Sequence, residues 1–91
     1  MDPATETAVP GGFEAECRQA FRNLEAVLRA AGSSLQHVVK TTTFLTDPEN
    51  GALSNRLYEE CFPTNPPARS SPFVRLPRGF LFSIEAIAVI P

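Results

Sequence analysis

The chain has 91 residues, of which 43% are hydrophobic and 20% are charged, and its formal net charge is −2. This length predicts one domain, residues 1–91, and the composition is that of a globular rather than a disordered protein. Nucleic-acid binding and a membrane span are both excluded, because the Lys and Arg residues are scattered singly and no stretch approaches ~18 apolar residues.

The first element in chain order is an amphipathic helix. Residues 1–12 are mostly polar, contain Pro and Gly, and predict a loop. From Phe13 onward apolar residues recur at spacings of three and four, which predicts a helix over residues 13–31. The apolar set is Phe13, Cys17, Phe21, Leu24, Val27, Leu28 and Ala31. Acidic residues lie in its first turn, Arg29 lies in its last, and Gly32 is placed to end it.

A strand and a second helix follow. The stretch from His37 to Leu45 is rich in β-branched residues and predicts a strand. Alternation divides it into two faces: Val39, Thr41 and Thr43 on one, and Val38, Lys40, Thr42 and Phe44 on the other. Pro48 stops the strand, and either Asp47 or Asn50 could cap the helix predicted over residues 49–61.

Two further strands are predicted, near residues 68–75 and 80–90, after a rigid Pro-rich loop. The order helix, strand, helix, strand, strand predicts an α+β sandwich with both helices on one face of a small sheet. Four residues of the last strand would face the helices: Phe80, Phe82, Ile84 and Ala86. The opposite face would hold Leu81, Ile87 and Val89 with little cover, which favours a partner, although singly scattered apolar residues are also common.

Arg69 is the main candidate for ligand binding. A Pro66-Pro67 turn delivers it onto the predicted fourth element, at the start of a strand. The guanidinium is a planar fork of donors suited to two-point capture of a carboxylate. The alternative is a surface Arg paired with a nearby acid, which is the commoner situation.

The cysteines indicate no metal or disulfide chemistry. Cys17 and Cys61 lie far apart in the sequence, without CxxC spacing, and only His37 is available to share a metal. Two reduced thiols and a polar, acidic N-terminus without the features of a secretory signal predict a cytoplasmic protein.

Taken together, these segments resemble the Rid family of small proteins, also called the YjgF family. The matching pieces are Asp2–Thr5, Arg22–Leu28, Ala31–Gly32, Val38–Thr41, Phe44–Asp47, Asn55, Tyr58, Phe62, Pro67–Ser70, Leu76–Pro77 and Ile84–Ala88. Each piece is weak alone, and their order and spacing carry the resemblance.

The resemblance implies a chorismate-mutase-like (YjgF-like) fold and a homotrimer with ligand clefts between neighbouring subunits. It implies cofactor-free hydrolysis of reactive enamines and imines to 2-keto acids and ammonia. In that chemistry the Arg that matches Arg69 grips the substrate carboxylate. Ser71 matches a position where the family often has a Cys, Ser or Thr lining the cleft, and Asn55 matches an Asn on the second helix. As bare residues, both would usually be solvated.

The chain departs from the family pattern in two places. Family members commonly carry Glu-Ile-Glu on the last strand, where the first Glu is linked to handling the attacking water. Counting from Leu76-Pro77, Ser83 takes that first position and Glu85 matches the second Glu. A neutral hydroxyl needs a basic partner such as His to act near pH 7, and nothing in the sequence places His37 beside Ser83.

The second departure is at the N-terminus, where the family's β-hairpin is absent and its loss would leave an open sheet edge. Two functions therefore stay open. One is weak Rid-type deaminase activity on 2-imino acids. The other is a non-catalytic trimer that binds small carboxylates, or a truncated family member. Ribonuclease activity, also proposed for the family, is disfavoured by the acidic net charge.

Overall fold

A computed structural model describes residues 12–91, so the predicted N-terminal loop, apart from Gly12, and the resemblance at Asp2–Thr5 lie outside the described residues. The helices are α1, Gly12–Ala30, and α2, Gly51–Cys61. The strands are β1, Val38–Leu45, β2, Ala68–Ser70, and β3, Phe82–Ala88. The predicted order of elements is confirmed, with ends displaced by a few residues. No described helix is long and apolar enough to cross a membrane.

The described strands form a mixed sheet in the order β2-β1-β3. β1 runs parallel to β2 and antiparallel to β3. Both helices pack on one face of this sheet, which confirms the predicted α+β sandwich. The core between them is built from Phe13, Cys17, Phe21, Leu28, Val38, Leu45, Leu57, Tyr58, Phe62 and Phe82.

The helix ends follow the local sequence. Gly32 has φ +86°, and a Schellman motif closes α1, with Ser33 donating its N–H to the Leu28 carbonyl at 2.8 Å. Before α2, the Asp47 carboxylate accepts the Glu49 N–H at 2.9 Å and caps a short 3₁₀ turn over Pro48–Asn50. The Asn50 side chain makes no capping hydrogen bond, so of the two predicted capping residues it is Asp47 that caps the turn leading into α2.

The predicted faces of β1 are wrong at its first residues. A bulge between Val38 and Lys40 lets Val38 point into the core together with Thr41 and Thr43. Val39 is left half exposed. A bulge inserts an unpaired residue, so the simple alternation read from the sequence fails on its N-terminal side.

The last two strands are shorter than predicted. β2 ends at Ser70, and beyond it only Phe73 forms an isolated bridge to Leu45. Pro72 intervenes, and its ring nitrogen has no hydrogen to donate to a ladder. A corner at Pro77–Gly79, in which Arg78 and Gly79 have φ of 59° and 73°, delays β3 to Phe82. Leu81 therefore precedes the strand and packs against the core, contrary to its predicted position on the outer face.

A buried carboxylate joins α1 to the start of β3. Glu16 is 1% exposed, and its Oε2 accepts the N–H groups of Leu81 at 2.6 Å and Phe82 at 2.9 Å. These bonds satisfy two backbone donors at the point where the chain leaves the corner and enters the sheet. Glu16 thereby fixes the start of the strand that carries Ser83 and Glu85.

Candidate ligand-binding site

Arg69 lies in the middle of the edge strand β2, opposite Thr41 of β1. Its guanidinium carbon stands 4.4 Å from the centroid of the Tyr58 ring, within the range of a cation–π contact. The residue is exposed and forms no ion pair with any carboxylate of residues 12–91. Among residues 12–91, the structure therefore does not show the alternative of a surface Arg paired with a nearby acid.

Tyr58 is fixed beneath Arg69 by its own contacts. Its hydroxyl shares a hydrogen bond of 2.7 Å with Thr41 Oγ1, and the two residues are 4% and 1% exposed. Its ring packs against Phe62 at 4.8 Å and Phe21 at 6.2 Å between centroids. The surface on which Arg69 rests is thus part of the hydrophobic core.

Ser71 lies just beyond β2 and on the same side of the sheet as Arg69. Its Oγ shares a hydrogen bond of 2.8 Å with Oγ1 of the fully buried Thr43. Asn55 is exposed and sits one turn before Tyr58 on α2. Arg69 and Ser71 are therefore brought together along one strand edge, with Asn55 on the adjoining helix.

Ser83 and Glu85 lie on the other face of the sheet. Glu85 is paired with Thr42 and Ser83 with Phe44, whereas the helix-facing Thr41 and Thr43 are paired with Ala86 and Ile84. Directly paired residues in a sheet share a face, so Ser83 and Glu85 point away from the helices. Within one chain the structure does not bring them to Arg69.

The outer face around Glu85 holds a shallow depression of about 260 Å³. Its lining residues are Lys40, Thr41, Thr42, Glu85, Ala86 and Ile87. Lys40 donates to Thr42 Oγ1 at 3.2 Å, and no described cation pairs with Glu85. This carboxylate is therefore available to a group from outside the described chain.

His37 does not assist Ser83. It lies in the turn before β1, where its Nδ1 is 2.8 Å from Ser34 Oγ. Ser83 is paired with Phe44, near the opposite end of β1, roughly 20 Å away at ~3.3 Å per residue. The hydroxyl at position 83 thus has no imidazole to deprotonate it.

The two thiols are not reactive groups. Both Cys17 and Cys61 are unbonded, and burial raises the pKa of the Cys17 thiol to about 12. Burial likewise raises the pKa of Cys61, with Glu60 contributing. A thiol held neutral is a poor nucleophile and a poor metal ligand. In the part of the chain that the structure describes, no group of three or more His, Cys, Asp or Glu residues could hold a metal ion.

Sequence comparisons point to one family. The family model described as endoribonuclease L-PSP matches residues 1–90. The 2-iminobutanoate/2-iminopropanoate deaminase of Rattus norvegicus is 44% identical over 90 residues, which cover 98% of this chain and 66% of the relative. Protein DfrA of Myxococcus xanthus is 44% identical over 98% of this chain and 69% of its own length. The chain thus spans about two thirds of these curated relatives.

Solved structures agree with the sequences. RidA from Psychrobacter sp. PAMC 21119 has a TM-score of 0.91 and 37% identity, covering 99% of this chain and 73% of that one. E. coli TdcF, solved with bound serine, has a TM-score of 0.84 and 35% identity, covering 89% and 67%.

The fold defines a small α+β sandwich that presents a guanidinium at a sheet edge. The chain belongs to the endoribonuclease L-PSP family, which is the Rid or YjgF family indicated by its sequence.

Several features of the site escaped sequence reasoning. The sequence places Tyr58 on a helix and Thr41 and Thr43 on a strand, and Tyr58 and Thr41 match the family pattern, but it does not show that they support Arg69 and Ser71. Thr at strand positions facing a core is a signal for such support, because a buried hydroxyl requires a partner. The opposite orientation of Ser83 and Arg69 depends on strand pairing, which the sequence alone does not reveal.

Proposed function

We propose that this chain takes part in Rid-type hydrolysis of small 2-imino acids and their enamines to 2-keto acids and ammonia, with Arg69 as the carboxylate clamp. The observation that carries the proposal is an exposed guanidinium, stacked on Tyr58 and without an ion pair among the described residues. Its planar fork matches a substrate carboxylate at two points. Relatives named 2-iminobutanoate/2-iminopropanoate deaminase support the proposed activity.

Two neighbours of Arg69 would contact the same ligand. Ser71 follows on the same edge, with its hydroxyl already oriented by Thr43. Asn55 offers an exposed amide on α2, one turn from Tyr58. We assign both to binding the polar end of the substrate, because hydroxyl and amide groups supply donors and acceptors without needing to change charge.

The complete site requires a second subunit. Ser83 and Glu85 face away from the helices, so they can meet an Arg69-bound ligand only if they come from a neighbouring copy of the chain. The outer face supports such association, since Val39, Ile87 and Val89 leave half or more of their surface exposed on it or beside it. A homotrimer with clefts between subunits is the assembly we propose.

The chemistry needs only oriented water. Water adds to the imine carbon, and the resulting carbinolamine expels ammonia as the carbonyl forms, so no cofactor is invoked. Ser83 cannot accept the proton of that water near pH 7, and Glu85 lies one step farther along its face. Because general acid–base catalysis typically supplies ~10²- to 10⁴-fold, we expect turnover to be weak.

The test pairs Arg69→Ala with Ser83→Glu. We expect Arg69→Ala to abolish calorimetric binding of 2-ketobutyrate, while Ser83→Glu raises turnover of 2-iminobutanoate at least tenfold, given the ~10²-fold lower bound for a positioned base. Arg75→Ala, an exposed Arg outside the site, is the matched control and should change neither value. Unchanged ketobutyrate binding by Arg69→Ala would refute the carboxylate clamp.

A second candidate is a binding module without turnover, favoured by the hydroxyl at position 83. It predicts that the natural chain binds 2-ketobutyrate through Arg69 yet hydrolyses iminobutanoate no faster than buffer, and that Ser83→Glu alone gains activity. The two candidates share the same clamp and differ only in measured turnover. We place either one in the cytoplasm, since unpaired cysteines suit a reducing compartment.

A further inference from the structure

Arg69 projects from a short edge strand, and such a side chain would ordinarily sample many rotamers. Ordering an Arg side chain costs conformational entropy, and a clamp that must be ordered on binding loses affinity by that amount. A rigid support that orders the guanidinium beforehand removes this cost. The structure shows one such support, the ring of Tyr58 at 4.4 Å.

We propose that Tyr58 is a positioning residue for Arg69, holding the guanidinium in place before the carboxylate arrives. This inference rests on the proposed clamp. A cation above an aromatic face interacts through the ring quadrupole and leaves its N–H groups free. The Tyr58 ring can therefore order Arg69 without consuming the donors that the substrate needs.

The ring is itself held from three directions. Thr41 bonds its hydroxyl at 2.7 Å from β1, while Phe62 and Phe21 pack against its sides. Thr41 is also the strand partner of Arg69. The same β1 residue thus contacts both the backbone of the clamp and the ring beneath it.

This geometry assigns the positioning to the ring and not to the hydroxyl. Tyr58 is 4% exposed, and its hydroxyl faces Thr41 in the core, away from any ligand bound by Arg69. A Tyr acting as a proton donor would have to present that hydroxyl to the ligand. Tyr58 is therefore not a catalytic residue.

Two double variants separate these roles. Thr41→Val with Tyr58→Phe keeps the ring and removes both members of the buried hydroxyl pair, so no polar group is left unpaired. Thr41→Val with Tyr58→Leu removes the ring in the same background. If the Leu variant does not fold, Tyr58→Met replaces it, because Met fills volume without an aromatic face.

Calorimetry with 2-ketobutyrate on the full chain gives the readout. We expect the Leu variant to bind roughly three- to tenfold more weakly than the Phe variant, because only the Leu variant lacks the cation–π contact with Arg69. Because Arg69→Ala is expected to abolish binding, the Arg69→Ala background is read by urea denaturation: the Phe and Leu variants should differ there by less free energy of unfolding than they do when Arg69 is present. If the ring served only the core, the Phe and Leu variants would differ in the free energy of unfolding equally with and without Arg69.

Two results would overturn the inference. One is equal affinity of the Phe and Leu variants. The other is a Phe variant that binds 2-ketobutyrate normally but loses turnover of 2-iminobutanoate, which would give the hydroxyl a chemical role. If Arg69→Ala alone binds as well as the natural chain, the clamp itself fails, and that outcome is distinct from both.

Discussion

The two faces of the sheet use their polar groups differently. On the helix-facing side, Thr41 and Thr43 are almost fully buried, and each is bonded to a hydroxyl of another segment. On the outer side, Lys40 and Glu85 border an open depression and form no ion pair with each other. The buried hydroxyls of the helix-facing side are thus bonded within the chain, whereas the two charges of the outer side are not paired with each other.

The helix-facing side therefore positions Arg69, whereas the outer side offers a surface to a second subunit. Arg69 is ordered by the helix-facing side, through Tyr58 and Thr41. Ser83 and Glu85 stand on the outer side, where the rest of a site would come from a second subunit. Substitutions of the buried residues on the helix-facing side should therefore change the stability of the fold, whereas those on the outer face should change association or turnover.

The largest expected effect is at Glu16, on the helix-facing side. Glu16→Ala would leave the N–H groups of Leu81 and Phe82 without their buried acceptor, so we expect the free energy of unfolding to fall by roughly 2 to 4 kcal/mol. Urea denaturation measures this loss. Glu16→Gln keeps an acceptor oxygen and should retain most of the stability. If both variants lost the same stability, the negative charge of Glu16 would matter, and not its role as a hydrogen-bond acceptor.

The role of Glu16 also shows where sequence reasoning ends. The helical period placed Glu16 among polar positions, because a charged residue is seldom fully buried. Its burial depends on the corner at Pro77–Gly79, which lies far along the chain and turns two backbone donors towards α1. Local patterns predicted the helices, the order of the elements along the chain and the exposed Ile87. They could not predict contacts set by long-range pairing.

The bulge in β1 and the support of Arg69 illustrate the same limit. Alternation along β1 predicted Val38 and Thr41 on opposite faces, because nothing in the residues marks the unpaired step between Val38 and Lys40. The family resemblance pointed to Arg69, but the ring beneath it depends on how α2 lies across β1 and β2. The division of the site residues between two faces likewise requires the observed register.

A smaller effect on stability is expected at alkaline pH, again from the buried side. The pKa of Cys17 is raised by burial from its usual 9.0 to about 12. The unfolded thiol therefore ionises first, so its contribution is fully present below about pH 9 and is lost as the pH rises towards 12. Between pH 9 and 10 we expect the free energy of unfolding to fall by ~1 kcal/mol.

Urea denaturation across that pH range, compared with Cys17→Ala, measures the contribution of this thiol. The Ala variant should be less stable at pH 8 but flatter with pH, because it removes the group that titrates. Cys61→Ala is the control. Burial raises the pKa of the Cys61 thiol as well, but Cys61 is only partly buried, so this variant should keep most of the dependence on pH. If the free energy of unfolding of the Cys17→Ala variant fell as steeply with pH as that of the natural chain, a group other than Cys17 would be responsible.

The smallest effect on stability should come from Ile87, on the outer face. Ile87 is 62% exposed, so Ile87→Ser should change the free energy of unfolding of the isolated chain by less than ~0.5 kcal/mol. If the outer face joins subunits, the same substitution should shift native mass from trimer towards monomer. Val27→Ser is the matched control, because Val27 is 65% exposed and lies on α1, which packs against the opposite face of the sheet. Dissociation by Val27→Ser alone would place the contact beside α1, and the contrast between the two faces of the sheet would then fail.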